Sequence, residues 1–351
     1  MKNRFDSRLN NVPGAVWNKI TQIDELKGRW SAGTKLNPHL LGRLKRSVLV
    51  TSTGASTRIE GVKLSDEEIE KFLKGISIQK LIDRDEQEVK GYYELLENVF
   101  NSWQHIKFSE GAIKHFHKEL LKYTEKDKFH LGEYKKQENK VHAVDGNGRI
   151  LGVVFDTTPA YKTPIEMQEL AEWTVEALKN KTHHPLLIIA NFIVEFLAIH
   201  PFQDGNGRIS RVLTNLLLLQ AGYSYIPYVS HEKLIEDNKQ GYYLALRSSQ
   251  KTFKSKKESI TAWLGYFADI LLKQTGLAIE LVGQENIESI LSEKQSSVWK
   301  LFQEEKVLVP GKIASKLRFA RPTVNQILTK LMKLEKIERI GLGRAVRYKL
   351  K

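Results

Sequence analysis

The sequence predicts a mostly α-helical protein, with one β-hairpin interrupting the helices and a small helix-and-strand tail after them. Three observations carry that prediction. Seven stretches place apolar residues three and four apart, the period of a helix with one buried face. One stretch near the middle alternates on both sides of a Gly-Asn-Gly turn. From Leu291 onward, charge and pattern change together.

The helical stretches are Leu40–Val50, Asp66–Leu73, Asp85–Phe100, Ile113–Leu121, Ile165–Leu178, Pro185–His200 and Arg208–Gln220. Two open on start signals, Ser65-Asp66-Glu67-Glu68 and Thr163-Pro164-Ile165-Glu166, which put carboxylates or a proline in the first turn. The hairpin runs from Lys140 to Val154 around Asp145-Gly146-Asn147-Gly148. The segment Thr275–Glu288, weakly punctuated by Gly276 and Gly283, precedes the change of pattern. The tail then reads as helix (Ser292–Phe302), short helix (Lys312–Leu317), tight turn and helix (Arg321–Leu334). A Gly-marked hairpin across Ile340–Arg344 closes it. That order is the winged helix-turn-helix pattern. The expected division is an N-terminal helical region at 1–105, a core at 106–275 and the winged unit at 286–351.

Composition bounds the function. With 351 residues the chain has room for two or three domains, and 41% hydrophobic with 27% charged residues describes a globular protein. There is no cysteine, so disulfide scaffolds, thiolate zinc sites and cysteine nucleophiles are excluded. The most apolar run, Pro185–His200, carries Asn191 and Glu195 and is shorter than the ~20 residues a spanning helix needs. No apolar leader follows Met1, so the expectation is a cytoplasmic protein with no membrane partner. From Leu291 to Lys351 there are 15 Lys and Arg against 5 Asp and Glu, which accounts for most of the net charge of +14. A polyanion such as DNA is the partner that charge suits, and a solubilising surface is the plainer reading.

The chemistry lies in His200-Pro201-Phe202-Gln203-Asp204-Gly205-Asn206-Gly207-Arg208-Ile209-Ser210-Arg211, between one apolar helix and the next. Gly205 and Gly207 allow a tight turn, and backbone N–H groups at the start of the next helix form an anion cradle. Arg208 and Arg211 share a helix face and suit a polyphosphate. Asp204 is a hard oxygen ligand of the kind Mg²⁺ prefers, and His200 titrates near neutrality as a general base. By contrast, His115, His117, His183 and His184 have no third ligand at a metal spacing.

This string resembles the signature H-P-F-x-[D/E]-G-N-G-R-x-x-R of the Fic family, and the resemblance extends to the helices around it, roughly residues 30–270. It implies a helical Fic core with a β-hairpin flap. It also implies transfer of AMP from ATP to a Tyr, Ser or Thr hydroxyl of a target protein or of the protein itself. On that resemblance His200 looks like the base and Asp204 like the Mg²⁺ ligand. Gly205-Asn206-Gly207 looks like the anion hole, and Arg208 and Arg211 look like clamps on the β- and γ-phosphates. Tyr242, Tyr243 and Gln250 fall where relatives place adenine-pocket residues, with core packing an equal reading for one tyrosine. The flap at 140–154 implies a docked target strand. Its second Gly146-Asn147-Gly148-Arg149 lacks the His-Pro-Phe and a following helix, and reads as a turn. Upstream, Ser56-Thr57-Arg58-Ile59-Glu60-Gly61 is similar to the family's inhibitory motif [S/T]-x-x-x-E-[G/N], which implies autoinhibition by Glu60. Two alternatives stay open: a DNA-binding regulator whose core senses nucleotide, and removal of AMP by the same site. Homo-oligomerisation is open as well.

Overall fold

The computed structural model describes residues 3–33, 38–75, 84–125, 128–144, 150–255, 257–288, 291–341 and 346–351. It divides into two compact units, Met1–Ile279 and Glu280–Lys351. The first contains α1 (Arg4–Ser7), α2 (Gly14–Gly33), α3 (Pro38–Ile59), α4 (Asp66–Gly75), α5 (Arg84–Ser102) and α6 (Glu110–Leu121). The hairpin strands β1 (Lys140–Val144) and β2 (Ile150–Asp156) follow. Then come α7 (Thr163–Asn180), α8 (Pro185–Ile199), α9 (Asn206–Gln220), α10 (His231–Asp237) and α11 (Lys239–Gln250). The helix α12 (Thr261–Glu288) runs through the segment expected to be punctuated, so Gly276 and Gly283 lie within a helix. Among the described residues no helix is long and apolar enough to cross a membrane.

The helix α8 is the centre of the first unit. Its sequence is apolar all round, and residues from Leu186 to Leu197 are buried on every face. A helix with no polar face belongs in a core. One carboxylate sits in it, Glu195, and a buried charge needs a partner. The partners come from the N-terminus: Arg8 Nη1 lies 2.6 Å and Arg4 Nη2 2.7 Å from the Glu195 carboxylate. Asn191, one turn earlier, donates to Phe5 O at 2.9 Å. Residues Arg4 to Arg8 are thus held on the face of the central helix. Helix α3 packs against α5 and α10.

The strands β1 and β2 pair antiparallel, with irregular register between Val141 and His142 and between Ala143 and Val144. The turn at 145–149, including the second Gly-Asn-Gly-Arg, lies outside the described residues.

The second unit contains α13 (Glu293–Glu304), β3 (Val307–Leu308), α14 (Pro310–Leu317), α15 (Arg321–Lys333), β4 (Ile337–Ile340) and β5 (Arg347–Leu350). The strands form an antiparallel sheet in the order β3-β5-β4. Trp299, Phe302, Ile313, Val324, Leu328, Ile337 and Tyr348 share its core. Arg321 and Asn325 on α15 and Arg347 on β5 are exposed, as the helical and strand periods predict. The sequence predicts that Lys330 faces outward with Arg321 and Asn325, but it is partly buried and its Nζ donates to Gln295 Oε1 of α13 at 3.0 Å. Five residues on from Asn325, it lies about 500° around the helix and so on another face. Arg344 lies outside the described residues.

Candidate active site

The signature string builds a turn between two helices. His200 ends α8 in a left-handed conformation, φ 53°, and Gly205 opens α9 at φ 79°. That conformation suits glycine, and a Cβ there would also lie 3.0 Å from Leu120 Cδ2. The Asn206 side chain closes the turn on itself: its Oδ1 accepts from Phe202 N at 2.9 Å and its Nδ2 donates to Phe202 O at 2.8 Å. So the buried Asn206 side chain shapes the turn, leaving only its backbone to the cradle that the sequence suggests.

The structure brings Glu60, His200, Gly207, Arg211, Tyr242, Tyr243 and Gln250 to one cleft, with Leu197, Leu246 and Arg247. The cleft holds ≈ 540 Å³ and opens to solvent. His200 Nδ1 lies 3.3 Å from Leu197 O, a carbonyl, so Nδ1 carries the proton and Nε2 keeps a lone pair. Burial pushes the imidazole down to about 4; nearby Lys135 acts in the same direction, against the Leu197 carbonyl, Glu60 and Asp204. The side chain is therefore neutral at pH 7.

Arg211 is buried. Its Nε donates to Ser56 Oγ at 2.7 Å, and its Nη2 to Ser56 O at 2.9 Å and Glu60 Oε1 at 2.7 Å. Burial opposes its charge, but Glu60 and the tyrosine hydroxyls more than offset this, and its pKa lies above the ordinary arginine value. Gly61 follows α3 at φ 112°. Gly207 has a separate reason to be glycine. A Cβ there would lie 2.2 Å from Glu60 Oε1. The bare backbone is what lets Glu60 reach Arg211.

Asp204 and Arg208 gather at the other side of the turn. Arg208 Nη1 lies 2.7 Å from Glu88 Oε2 and its Nη2 3.2 Å from Asp204 Oδ2. Arg84 bridges the same two carboxylates, at 2.7 Å to Glu88 and 3.2 Å to Asp204. Burial works against ionisation of Asp204, yet Arg208, the Gly205 N–H and Arg84 outweigh it and hold its pKa below the usual carboxylate value. The carboxylate stays about two-fifths exposed.

Tyr242 and Tyr243 take different roles. Tyr242 is buried against Trp263 and Tyr266, while Tyr243 is 37% exposed on the cleft wall. Gln250 donates to Val194 O at 3.4 Å, and its buried Oε1 has no hydrogen-bond partner among the described residues.

Several residues of the site carry no sequence signal. His117, one of the histidines that lacked a metal pattern, is fully buried and stacks on Phe202 with ring centres 3.9 Å apart. Its Nδ1 accepts from Gly132 N at 2.9 Å, so Nε2–H faces Asp204 O at 3.2 Å. Arg84 opens α5 and Glu88 lies one turn on, where they look like an ordinary i,i+4 charge pair. Arg247 stands on the cleft wall as one more exposed lysine-or-arginine position. None has a periodic or motif context that separates it from surface residues.

Residues 107–218 match the sequence model of the Fic/DOC family. A probable protein adenylyltransferase of Aquifex aeolicus is 26% identical over 228 residues, 62% of this chain and 63% of that protein. The protein adenylyltransferase Fic of Drosophila melanogaster is 44% identical over 57 residues, 16% of this chain and 11% of that protein. The chain thus spans less than two thirds of these relatives. A Fic family protein from Desulfovibrio desulfuricans has a similar structure, with a TM-score of 0.62 at 23% identity over 97% of both chains. Fic-1 from C. elegans gives 0.58 at 20% identity over 77% of this chain and 73% of that one. These structural likenesses establish the fold. Residues 107–218, which contain the signature turn between α8 and α9, thus form a Fic/DOC-type domain.

Proposed function

We propose that this protein transfers AMP from ATP to a hydroxyl side chain of a protein, and that Glu60 holds the transfer in check. The observation that carries the reading is the meeting of His200, Arg211 and Glu60 in one cleft. In the reaction the hydroxyl oxygen attacks the α-phosphorus. The bond to the α,β-bridging oxygen breaks and pyrophosphate leaves. His200 Nε2, whose lone pair is free because Nδ1–H faces Leu197 O, takes the hydroxyl proton. Such a transfer depends on positioning and charge neutralisation more than on covalent chemistry.

The cleft residues divide the nucleotide between them. Tyr243 and Leu246 offer apolar surface to a purine, and the unpartnered Gln250 Oε1 offers an acceptor for an exocyclic amine. Arg211 would hold the γ-phosphate with the fork it now gives to Glu60. Asp204 fits a magnesium ion that arrives with the phosphates: it is a partly exposed, ionised carboxylate, and Mg²⁺ takes few protein ligands. Among the described residues no cluster of three or more His, Asp or Glu could hold a metal without the nucleotide. The ion supplies neutralisation of phosphate charge when bound. Mass spectrometry of the protein, alone and with added lysate, after incubation with Mg²⁺-ATP tests the reading. A mass gain equal to AMP on any protein supports it; gain of a phosphate instead would replace it.

A second activity is favoured by the tail. We read residues 286–351 as a winged helix that binds DNA, with Arg321 and Asn325 on the recognition helix α15 and Arg347 on the wing, all three exposed. Phosphate contacts make such binding fall steeply with salt. A gel shift with Arg321→Glu/Arg347→Glu in the full chain should lose the retardation. Unchanged retardation in that variant would remove these residues from the interface.

A further inference from the structure

The four successive carbonyls at the start of the signature turn are all bound from one short segment. Ile199 O accepts from Lys135 Nζ at 3.1 Å. His200 O and Phe202 O face Asn139 Nδ2 at 3.4 and 2.9 Å. Pro201 O accepts from Lys135 N at 2.8 Å. Lys135 Nζ makes two further bonds, to Asn139 Oδ1 at 2.7 Å and Thr157 Oγ1 at 2.9 Å. Thr157 Oγ1 donates back to Asn139, whose backbone and side-chain oxygens lie 2.8 and 2.7 Å away. All three donors of the ammonium are therefore used, in a site where Lys135 is 4% exposed.

The placement of these residues gives the cluster its meaning. Asn139 directly precedes β1, and Thr157 directly follows β2. They are the two roots of the hairpin. Lys135 joins both roots to the carbonyl end of α8, where a cation also complements the helix dipole. A buried ammonium is costly unless its donors are satisfied, so its retention here argues for a holding role that an apolar residue could not fill.

We propose that Lys135, with Asn139 and Thr157, is a positioning residue for the transfer reaction, locking both roots of the hairpin to the backbone that carries His200. The inference rests on the adenylyl-transfer reading above, and it adds that the hairpin and the base move as one body. A target strand docked on the hairpin then presents its hydroxyl to His200 at a fixed distance. Lys135 touches neither reactant, so its loss acts on the rate of the chemical step and leaves nucleotide affinity alone.

The test uses the full chain in the Glu60→Gly background, with α-labelled ATP and self-modification as the readout, and adds Lys135→Met, Lys135→Arg and Thr157→Val. Lys135→Met should lower kcat by at least about tenfold with KM for ATP within about threefold, since small errors in alignment are costly in transfer reactions. Lys135→Arg, which keeps charge and donors, should recover at least a third of the rate. Hydrogen exchange is read on the same proteins without nucleotide. Amide exchange should rise together in peptides covering 197–206 and 138–158 and nowhere else. Thr157→Val should show the same paired rise with a kcat loss of about threefold, and it carries the test if Lys135→Met does not fold. Unchanged exchange, a rate loss that falls on KM for ATP, or no recovery by arginine would overturn the inference. Absence of labelling by the Glu60→Gly parent, on itself and on every protein of an added lysate, would overturn the transfer reading instead, and the exchange data would still decide whether the lock exists.

Discussion

Arg211 Nη2 and Glu60 Oε1 lie 2.7 Å apart, across 151 residues of sequence, and Ser56 holds the same guanidinium through its hydroxyl and its carbonyl. One helix end therefore occupies the arginine fork that a triphosphate would need. A charge-assisted bond of this kind is worth about 1.5–3 kcal/mol, less here because Glu60 is about one-third exposed.

The base and the nucleotide contacts should separate kinetically. His200→Ala should abolish transfer while ATP binding stays within about threefold, because the imidazole acts on the attacking hydroxyl. Asp204→Ala should weaken Mg²⁺-ATP binding as well. Calorimetric titration of ATP beside a label-transfer assay reads both, and wild-type transfer by His200→Ala would remove it as base.

The end of α3 that carries Glu60 is also held by contacts outside the cleft. Arg58, two residues before Glu60, donates to Glu236 of α10 at 2.6 and 3.2 Å and to Asp66 at 2.9 Å. Lys239 Nζ caps Ile59 O at 2.8 Å. Glu236→Gln should loosen this helix end and raise basal transfer about threefold, by less than Glu60→Gly does, because Ser56 still holds Arg211. A basal rate unchanged in Glu236→Gln would show that these contacts do not govern Glu60.

Gly207 and Glu60 should be coupled in stability. Gly207→Ala puts a methyl where Glu60 Oε1 now sits and should cost about 1–2 kcal/mol in the wild type. In the Glu60→Gly background the same substitution should cost much less, because the carboxylate it displaces is gone. Chemical denaturation of the four proteins measures the cycle, and equal costs in both backgrounds would contradict the close approach.

Burial lowers the pKa of His117, His200 and His231, and the first two lie near 4 against ~6.5 in an unfolded chain. A group whose pKa is depressed by folding contributes its full stability above the unfolded value and loses it as pH falls through the folded one. The thermal midpoint should therefore fall between about pH 6.5 and 4, chiefly through the fully buried His117. His117→Gln should show a shallower fall over that window, and an identical pH dependence would clear this histidine of the effect.

The helices were legible wherever one face carries the apolar residues, as in α5, α7 and α9, and α8 was legible from its unbroken apolar run. The signature turn was legible because its residue types are fixed by backbone conformation and phosphate chemistry, and the Glu60–Arg211 pair followed only from a resemblance. Helix α2 was missed because its apolar spacing is diluted by polar residues, and α12 because two glycines read as punctuation in a helix whose packing overrides their low propensity. Lys135, Asn139 and Glu88 were invisible for another reason. Single polar residues in loops and helices look like solvated surface, and only the fold shows that these are packed against carbonyls and guanidinium groups.

The autoinhibited-transferase account is tested most directly by the rate of AMP transfer from α-labelled ATP in wild type, Glu60→Gly and Glu60→Gly/His200→Ala, measured side by side at saturating Mg²⁺-ATP. Freeing the Arg211 fork is predicted to raise the rate at least about tenfold in Glu60→Gly, the equivalent of about 1.4 kcal/mol, and removing the base is predicted to return the double variant to background. Equal rates for wild type and Glu60→Gly, or activity that survives in the double variant, would contradict it.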